Sequence, residues 1–400
     1  MTLTWPGAPE LPQLPFGRLF RRLERPIPEG AAIVTAYTDG QVTLRSNRKK
    51  ERYHEAADLS SFQGVEVGDF VVHGLDILRG SVGISDSAGA MSPVVSVCEP
   101  VGAVDLRYVA HVIRIQAATG YTKAMARGIR EGGADFRRWG TLAELPIPVP
   151  PLEYQRRVCD YLDRETARID TLIEEQQRLI EMLHERRHSL VEVAFCDRMP
   201  NARLQNACID VVDCPHTTPE ASDDGEYEAV RTASVRHGKF RPGNGIPVTA
   251  DTWSARNAGG APAIGDVLFT REAPAGEACM VPNNRICLGQ RMVLLRIDSS
   301  ACIGRFLLWQ IYSDRVQDYF VLSANGSTVA NVRLPVLRTT PIWLPNLDEQ
   351  RRIADELDEQ TAKIDQLITE SERFIELARE RRSALITAAV TGQIDVSKVA

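Results

Sequence analysis

A chain of 400 residues has room for two or three domains, each with its own core. With 44 % apolar and 25 % charged residues it reads as a globular protein, and no stretch approaches the roughly 20 apolar residues a membrane-spanning helix needs. A net charge of −6 argues at first against a nucleic-acid partner, and the N-terminus lacks a basic-then-apolar signal pattern, so a cytoplasmic location is expected.

The charge is unevenly spread. Residues 1–144 carry 17 basic and 16 acidic side chains, and residues 198–346 carry 15 and 14. The segments 145–197 and 347–400 carry 7 against 11 and 8 against 12. The acidic excess therefore sits on two segments and leaves the other two free to meet phosphate.

Within residues 1–144, "RSNRKKERYH" (45–54) interleaves Arg45, Arg48, Lys49, Lys50 and Arg52 with Ser46, Asn47 and Tyr53. Such a cluster suits phosphate anchoring with base-edge reading; the alternative is a solvated basic loop. "VGDFVVHGLDILRGSVGIS" (67–85) begins Gly-Asp and continues as a β-prone run and a turn, with Arg79 beside it as a further DNA-contact candidate.

"LPIPVPP" (145–151) blocks helix and gives the next segment a stiff, extended entry. From Leu152 the apolar residues keep a seven-residue beat: Leu162, Ile169, Gln176 and Leu183 in one row, Leu172 and Leu179 in a second. That is a coiled-coil signature over about four heptads, with two amphipathic helices packed on separate cores as the alternative.

Residues 198–346 hold "DCPHTT" (213–218), read as a turn, and the basic, Gly-rich "RTASVRHGKFRPGNG" (231–245), with Arg231, Arg236, Lys239 and Arg241 as the counterpart of 45–54. "IGDVLFTREAPAGEACMV" (264–281) opens on a second Gly-Asp, 197 residues after the first. Arg271, Gln290 and Arg291 lie in or beside these strand-rich runs and join the candidate DNA contacts. "SANGSTVANVR" (323–333), with Ser327 and Thr328, offers hydroxyl and amide donors that grip phosphate without charge, or else a plain turn.

Leu347 begins a second copy of the heptad segment. Aligned at an offset of 195, positions 152–194 and 347–389 agree at 22 of 43 residues, including Gln155-Arg156-Arg157 with Gln350-Arg351-Arg352. The second copy places Leu357, Ile364 and Ser371 in one row and Leu367 and Phe374 in the other. Gln176 and Ser371 are polar at the same central position, which lowers stability but fixes register. The whole half is therefore duplicated: domains 1–144 and 198–346, spacer helix 145–197, and a closing helix with tail 347–400. A helix of this length spans roughly 60 Å. An antiparallel pair would carry a globular head at each end, a geometry suited to DNA.

No phosphate loop, H-E-x-x-H, G-x-S-x-G or Rossmann glycine motif occurs. Cys214-Pro215 reverses the order of a cytosine-methyltransferase loop and has no cofactor motif beside it. His184 and His188, four apart on a helix, are placed to face one metal or simply to line a solvated surface. The eight cysteines form no C-x-x-C pair and read as reduced, buried thiols. No catalytic residue, metal or cofactor is expected in this chain.

The two repeats, together with "GDVLFTREAPAGEACMV", "LGQRM" and "GSTVANVRLPVL", resemble the specificity subunits of type I restriction-modification enzymes across nearly the whole chain. Tyr154 departs from the pattern, which has an acidic residue there as at Glu349. The resemblance implies an α+β protein with two pseudo-symmetric target recognition domains separated by two long helices paired as an antiparallel coiled coil. It implies that each domain reads one half of a bipartite double-stranded DNA target through the major groove, while the helices set the gap. It further implies docking of two methyltransferase subunits, which carry S-adenosylmethionine, and of motor–nuclease subunits in the full complex. Because the heads differ in sequence while the helices agree, the half-sites are expected to differ. The competing expectation is a coiled-coil scaffold with two protein-binding heads and no DNA role.

Overall fold

A computed structural model describes residues 12–48, 59–126, 136–323 and 331–396. It divides into two units, residues 1–175 with 374–400, and residues 176–373.

The first unit is built on a four-stranded sheet in the order Phe20–Arg22, Val95–Pro100, Phe70–His73, Val82–Ile84, every neighbour antiparallel. Successive side chains on a strand point to opposite faces. Phe70, Val72 and Cys98 accordingly enter one core, with the helix Leu106–Ala118, while Val71, Val95 and Val97 enter another, with Val34, Ala36 and Val42. Burial on both faces is why "FVV" (70–72) reads as an apolar run and "VVSVC" (94–98) as one interrupted only at Ser96. Phe20 stacks between Phe16 and Phe70 at centroid distances of 4.5 and 4.6 Å.

The second unit repeats this plan. Its sheet runs Cys208–Asp213, Met292–Ile297, Val267–Thr270, Ala278–Met280, again antiparallel throughout. Val267, Phe269, Val293 and Leu295 line one core, and Leu268, Met292 and Leu294 line the other. The two Gly-Asp pairs occupy the same place in each unit. Gly68 and Gly265 have φ of +92° and +106°, which a side chain would strain. The carboxylate that follows closes the turn: Asp69 accepts from the Glu66 amide at 2.8 Å, and Asp266 from that of Ala263 at 3.0 Å.

Both repeats are single helices of 44 residues, Leu152–Phe195 and Leu347–Val390. The proline-rich entries are extended: Pro146–Pro148 pairs with Gln13–Pro15, and Pro341–Ile342 with Ala202–Arg203. Within the first unit, Val158 and Leu162 share a core with Ala389 and Val390, and Arg382 lies 3.0 Å from Asp170. Within the second, Val191 and Phe195 share a core with Ile353 and Leu357, Leu183 packs with Ile364 and Ile368, and Arg187 lies 3.6 Å from Asp365. Numbers rise on one helix as they fall on the other, so the pairing is antiparallel in each unit. The expected α+β class with paired long helices is the fold observed.

The seam differs from the expected one in its second row. Leu162, Ile169, Leu183, Leu357, Ile364 and Ser371 are buried, and Gln176 and Leu179 are half-buried. Leu172, Leu367 and Phe374 are instead exposed, at 44, 48 and 41 %. On the second helix the places of Leu367 and Phe374 are taken one residue later by Ile368 and Ile375, in a line with Thr361. Residues three and four along a helix flank the same stripe, and the partner helix here selects the fourth.

All eight cysteines are free thiols, and only Cys196 is exposed. Burial pushes the thiols of Cys98, Cys208, Cys279 and Cys302 up to about 12 and that of Cys287 up to about 11. A maleimide at pH 8 is therefore expected to label the folded chain at Cys196 alone, and all eight sites after unfolding in urea. Rapid labelling of Cys98 or Cys279 in the folded chain would contradict this burial.

Candidate nucleic-acid interface

The basic stretch that starts at Arg45 begins as a tight turn, Arg45–Asn47, after the strand Val42–Leu44. Arg45 approaches Thr35 Oγ1 at 3.4 Å, and Asn47 donates to Thr43 Oγ1 at 2.9 Å. Arg48 lies 4.2 Å over the Tyr37 ring and pairs with Asp39. Arg48 is thereby oriented rather than merely solvated. Lys49, Lys50 and Arg52 lie outside the described residues, as do Ser327 and Thr328. Arg79 is 77 % exposed and 4.0 Å from Asp76.

In the second unit three segments meet at one end of the sheet. They are the turn 213–218, the turn 289–291 before Met292–Ile297, and residues 271–272 after Val267–Thr270. Gln290 donates to the His216 carbonyl at 3.2 Å, and His216 lies 3.5 Å from the Asp213 carboxylate. Arg271 donates to both Asp213 oxygens at 2.9 Å and to the Val332 carbonyl at 3.3 Å. Its side chain is only 16 % exposed, so it braces the strand ends and is not a surface cation. Arg291 is 56 % exposed, with Nε 3.3 Å from Glu272.

The other candidates divide in the same way. Arg236 donates to the carbonyls of Thr232 and Val235, both at 2.8 Å, and closes its own turn. Lys239 reaches Asp365 on the long helix at 2.7 Å, which ties it to the spacer. Arg231 spans to the Asn244 carbonyl at 3.0 Å while remaining exposed, and Arg241 is exposed. Of the second unit's candidates, Arg231, Arg241 and Arg291 are thus the exposed cations that the spacer does not hold.

Arg256 was missing from the sequence-based expectations. It ends the helix Ala250–Arg256 and donates to the carbonyls of Leu288 at 2.8 Å, Thr217 at 3.2 Å and Pro215 at 3.4 Å. It therefore holds the 213–218 turn against the strand Ile286–Leu288. The clue was topological. In the first unit "RSNRKK" follows Val42–Leu44, which pairs with Val34–Ala36; in the second unit the segment after the equivalent strand Ile246–Val248 is this helix. The counterpart of 45–54 in chain order is thus 249–258 rather than 231–245.

Cys214 is buried, its amide donates to the Met292 carbonyl at 3.2 Å, and burial raises its thiol above the ordinary range. The thiol packs into the core beside Val230 and Leu268, and the chain beyond Asp213 bends at His216-Thr217. His184 and His188 do not converge: His188 Nε2 lies 3.1 Å from Asp314, while the His184 ring stands 5.8 Å from that of His237. Among the described residues no group of three His, Cys, Asp or Glu side chains is placed to hold a metal ion, and no helix is long and apolar enough to cross a membrane.

This arrangement offers one end of a sheet with oriented guanidinium and amide groups and backbone turns, the chemistry that meets phosphates and base edges. Residues 215–376 match the family model described as the type I restriction modification DNA specificity domain, which includes the site just described from His216 onward. Over these residues the family match agrees with the resemblance noted in the sequence. No curated protein matches the chain. Among solved structures, a chain from work on complex assembly and conformational transition of the type I R-M system aligns over 97 % of this chain and 99 % of its own, at 19 % identity and a TM-score of 0.68. The HsdS subunit from Thermoanaerobacter tengcongensis aligns over 96 and 98 %, at 18 % identity and a TM-score of 0.51. At these identities the likeness speaks for the fold.

Proposed function

We propose that this chain, which carries a type I restriction modification DNA specificity domain, is the DNA-specificity subunit of a restriction-modification complex and performs no chemistry itself. Each globular domain reads one half of a bipartite double-stranded target. The domain limits are those of the duplication, 1–144 and 198–346, with 145–197 and 347–400 as the helices that set the gap. The helices dock two methyltransferase subunits, which bring S-adenosylmethionine, and motor–nuclease subunits join in the full complex.

The observation that carries this reading is the repetition of one sheet plan with different loops. The strand order is the same in both units, yet the turn before the second strand in that order is Gly289-Gln290-Arg291 in one and Ser92-Pro93-Val94 in the other. Such divergence suits a reader of two different half-sites; a coiled-coil scaffold with two protein-binding heads and no DNA role is excluded by a salt-sensitive DNA affinity. The near-neutral heads limit the counterion-release term, so affinity by this chain alone is expected to be weak until partner subunits add phosphate contacts.

Single-molecule sequencing of methylated bases in the host genome, with and without the gene, tests the reading. Loss of one asymmetric bipartite motif of fixed gap supports it, and an unchanged methylome sinks it. The same readout tests the spacer. Seven residues added to each long helix lengthen it by about 10 Å, so the gap is expected to grow by roughly three base pairs. An unchanged gap would remove the helices from that role.

A further inference from the structure

We propose that Arg291 discriminates a guanine in the half-site read by the second domain. The inference deepens the DNA-reading role proposed above and rests on it.

The backbone supplies the first argument. Arg291 has φ of +67°, in the left-handed region, which costs a residue with a Cβ on the order of 1 kcal/mol or more. Glycine would occupy that conformation without strain, and a glycine stands two positions earlier. The turn is nevertheless built around an arginine, and its carbonyl is pinned by the Arg271 amide at 2.9 Å. Strain kept at an exposed position points to a use for the side chain.

The guanidinium supplies the second. Its Nε lies 3.3 Å from Glu272 Oε2. Glu272 is itself fixed, because its Oε1 accepts from Asn331 Nδ2 at 2.7 Å. The carboxylate engages Nε and leaves the planar fork of Nη groups, on a side chain 56 % exposed, to meet a ligand. That fork matches the O6 and N7 acceptors a guanine presents in the major groove. The neighbouring cations lack this combination. Arg271 is inward and bound to Asp213, Arg236 closes its own turn, and Lys239 is held by Asp365.

The first domain supplies the contrast. Its turn between Gly89–Met91 and Val95–Pro100 is Ser92-Pro93-Val94, with neither a guanidinium nor an amide side chain. This contact therefore has no counterpart in the equivalent turn of the first domain, and it contributes to making the target asymmetric.

The test compares host methylomes carrying the full-length chain, Arg291→Gly, Arg291→Gln and Arg291→Lys. Glycine keeps the left-handed turn and removes the fork. The expected motif retains the wild-type first half and gap, but at one former guanine of the second half it accepts other bases, with discrimination reduced about tenfold to a hundredfold. Arg291→Gln shifts preference at that same position towards adenine, whose N6 and N7 an amide matches. Arg291→Lys keeps charge but loses the fork, and also relaxes. A second half-site with no G·C pair, or a glycine variant with wild-type preference, overturns the assignment. So does loss of all methylation by a variant that melts like the wild-type chain, because the residue then does more than read one base. Should the glycine variant melt early, the glutamine and lysine variants decide by the same criterion. If no motif depends on the gene at all, it is the DNA-specificity reading that falls first.

Discussion

Replacing Gln350 with leucine is expected to cost the second unit about 3 kcal/mol or more, since each buried polar partner left unpaired costs roughly 1–3 kcal/mol. The side chain is fully buried near the start of the second long helix. Its Oε1 accepts from the Ile303 amide at 2.9 Å, and its Nε2 donates to the carbonyls of Ala301 at 2.9 Å and Pro345 at 2.8 Å. Leucine has similar volume, so packing survives and the loss isolates the hydrogen bonds. The first unit holds the same device with one partner fewer: Gln155 accepts from the Asp105 amide at 2.9 Å and donates to the Pro150 carbonyl at 2.8 Å. Gln155→Leu should therefore cost less, about 2 kcal/mol. Urea unfolding of both variants checks the order, and a Gln350→Leu midpoint equal to wild type would refute the account. In each unit the glutamine locks the first turn of the long helix to the loop before a core helix, Leu106–Ala118 or Gly304–Ile311. An arginine on that core helix adds a second clasp. Arg107 reaches Asp160 at 3.0 Å and Asp163 at 2.6 Å, and Arg305 reaches Asp355 at 2.8 Å and pairs with Asp358. Such clasps fix the angle at which a domain leaves its helix, which the proposed spacing of half-sites requires.

These clasps explain why the repeats were so readable. Gln155 and Gln350, Asp160 and Asp355, and Asp163 and Asp358 are each 195 apart. Each pair is spent on one packing relation, so the sequence shows the duplication without naming the cause. The second row of the seam was harder. Leu367 and Ile368 are both apolar, as are Phe374 and Ile375, and both neighbours flank one stripe, so periodicity cannot choose between them. The choice falls to the facing helix, a non-local fact. The site was legible only in part, for a different reason. Composition marks where arginines cluster but not which carbonyl or carboxylate each one meets. Arg236 and Arg271 looked like Arg291 in the sequence; the first two turn inward to satisfy backbone and Asp213, and only the third stays exposed beside its bracing carboxylate. Arg256 sat in a helical run with no other basic residue beside it. Its three carbonyl partners come from segments tens of residues away.

The inward role of Arg271 leads to the second large effect. Arg271→Leu leaves the Asp213 carboxylate, which is 25 % exposed, without that cation, and breaking the part-buried pair from one side is expected to cost about 2 kcal/mol, less than a fully buried pair. Replacing both members with leucine should recover most of that loss, because the carboxylate left without its cation is what destabilises. An arginine on phosphate behaves otherwise. Its removal lowers DNA affinity at unchanged stability and makes the salt dependence shallower by about one unit of slope. Urea unfolding of the single and double variants, with salt-dependent DNA binding by the assembled complex, separates the two. A single variant as stable as wild type but with a reduced salt slope would return Arg271 to the DNA surface. A destabilised single variant rescued by Asp213→Leu leaves it as the strut beneath the turn that carries Arg291.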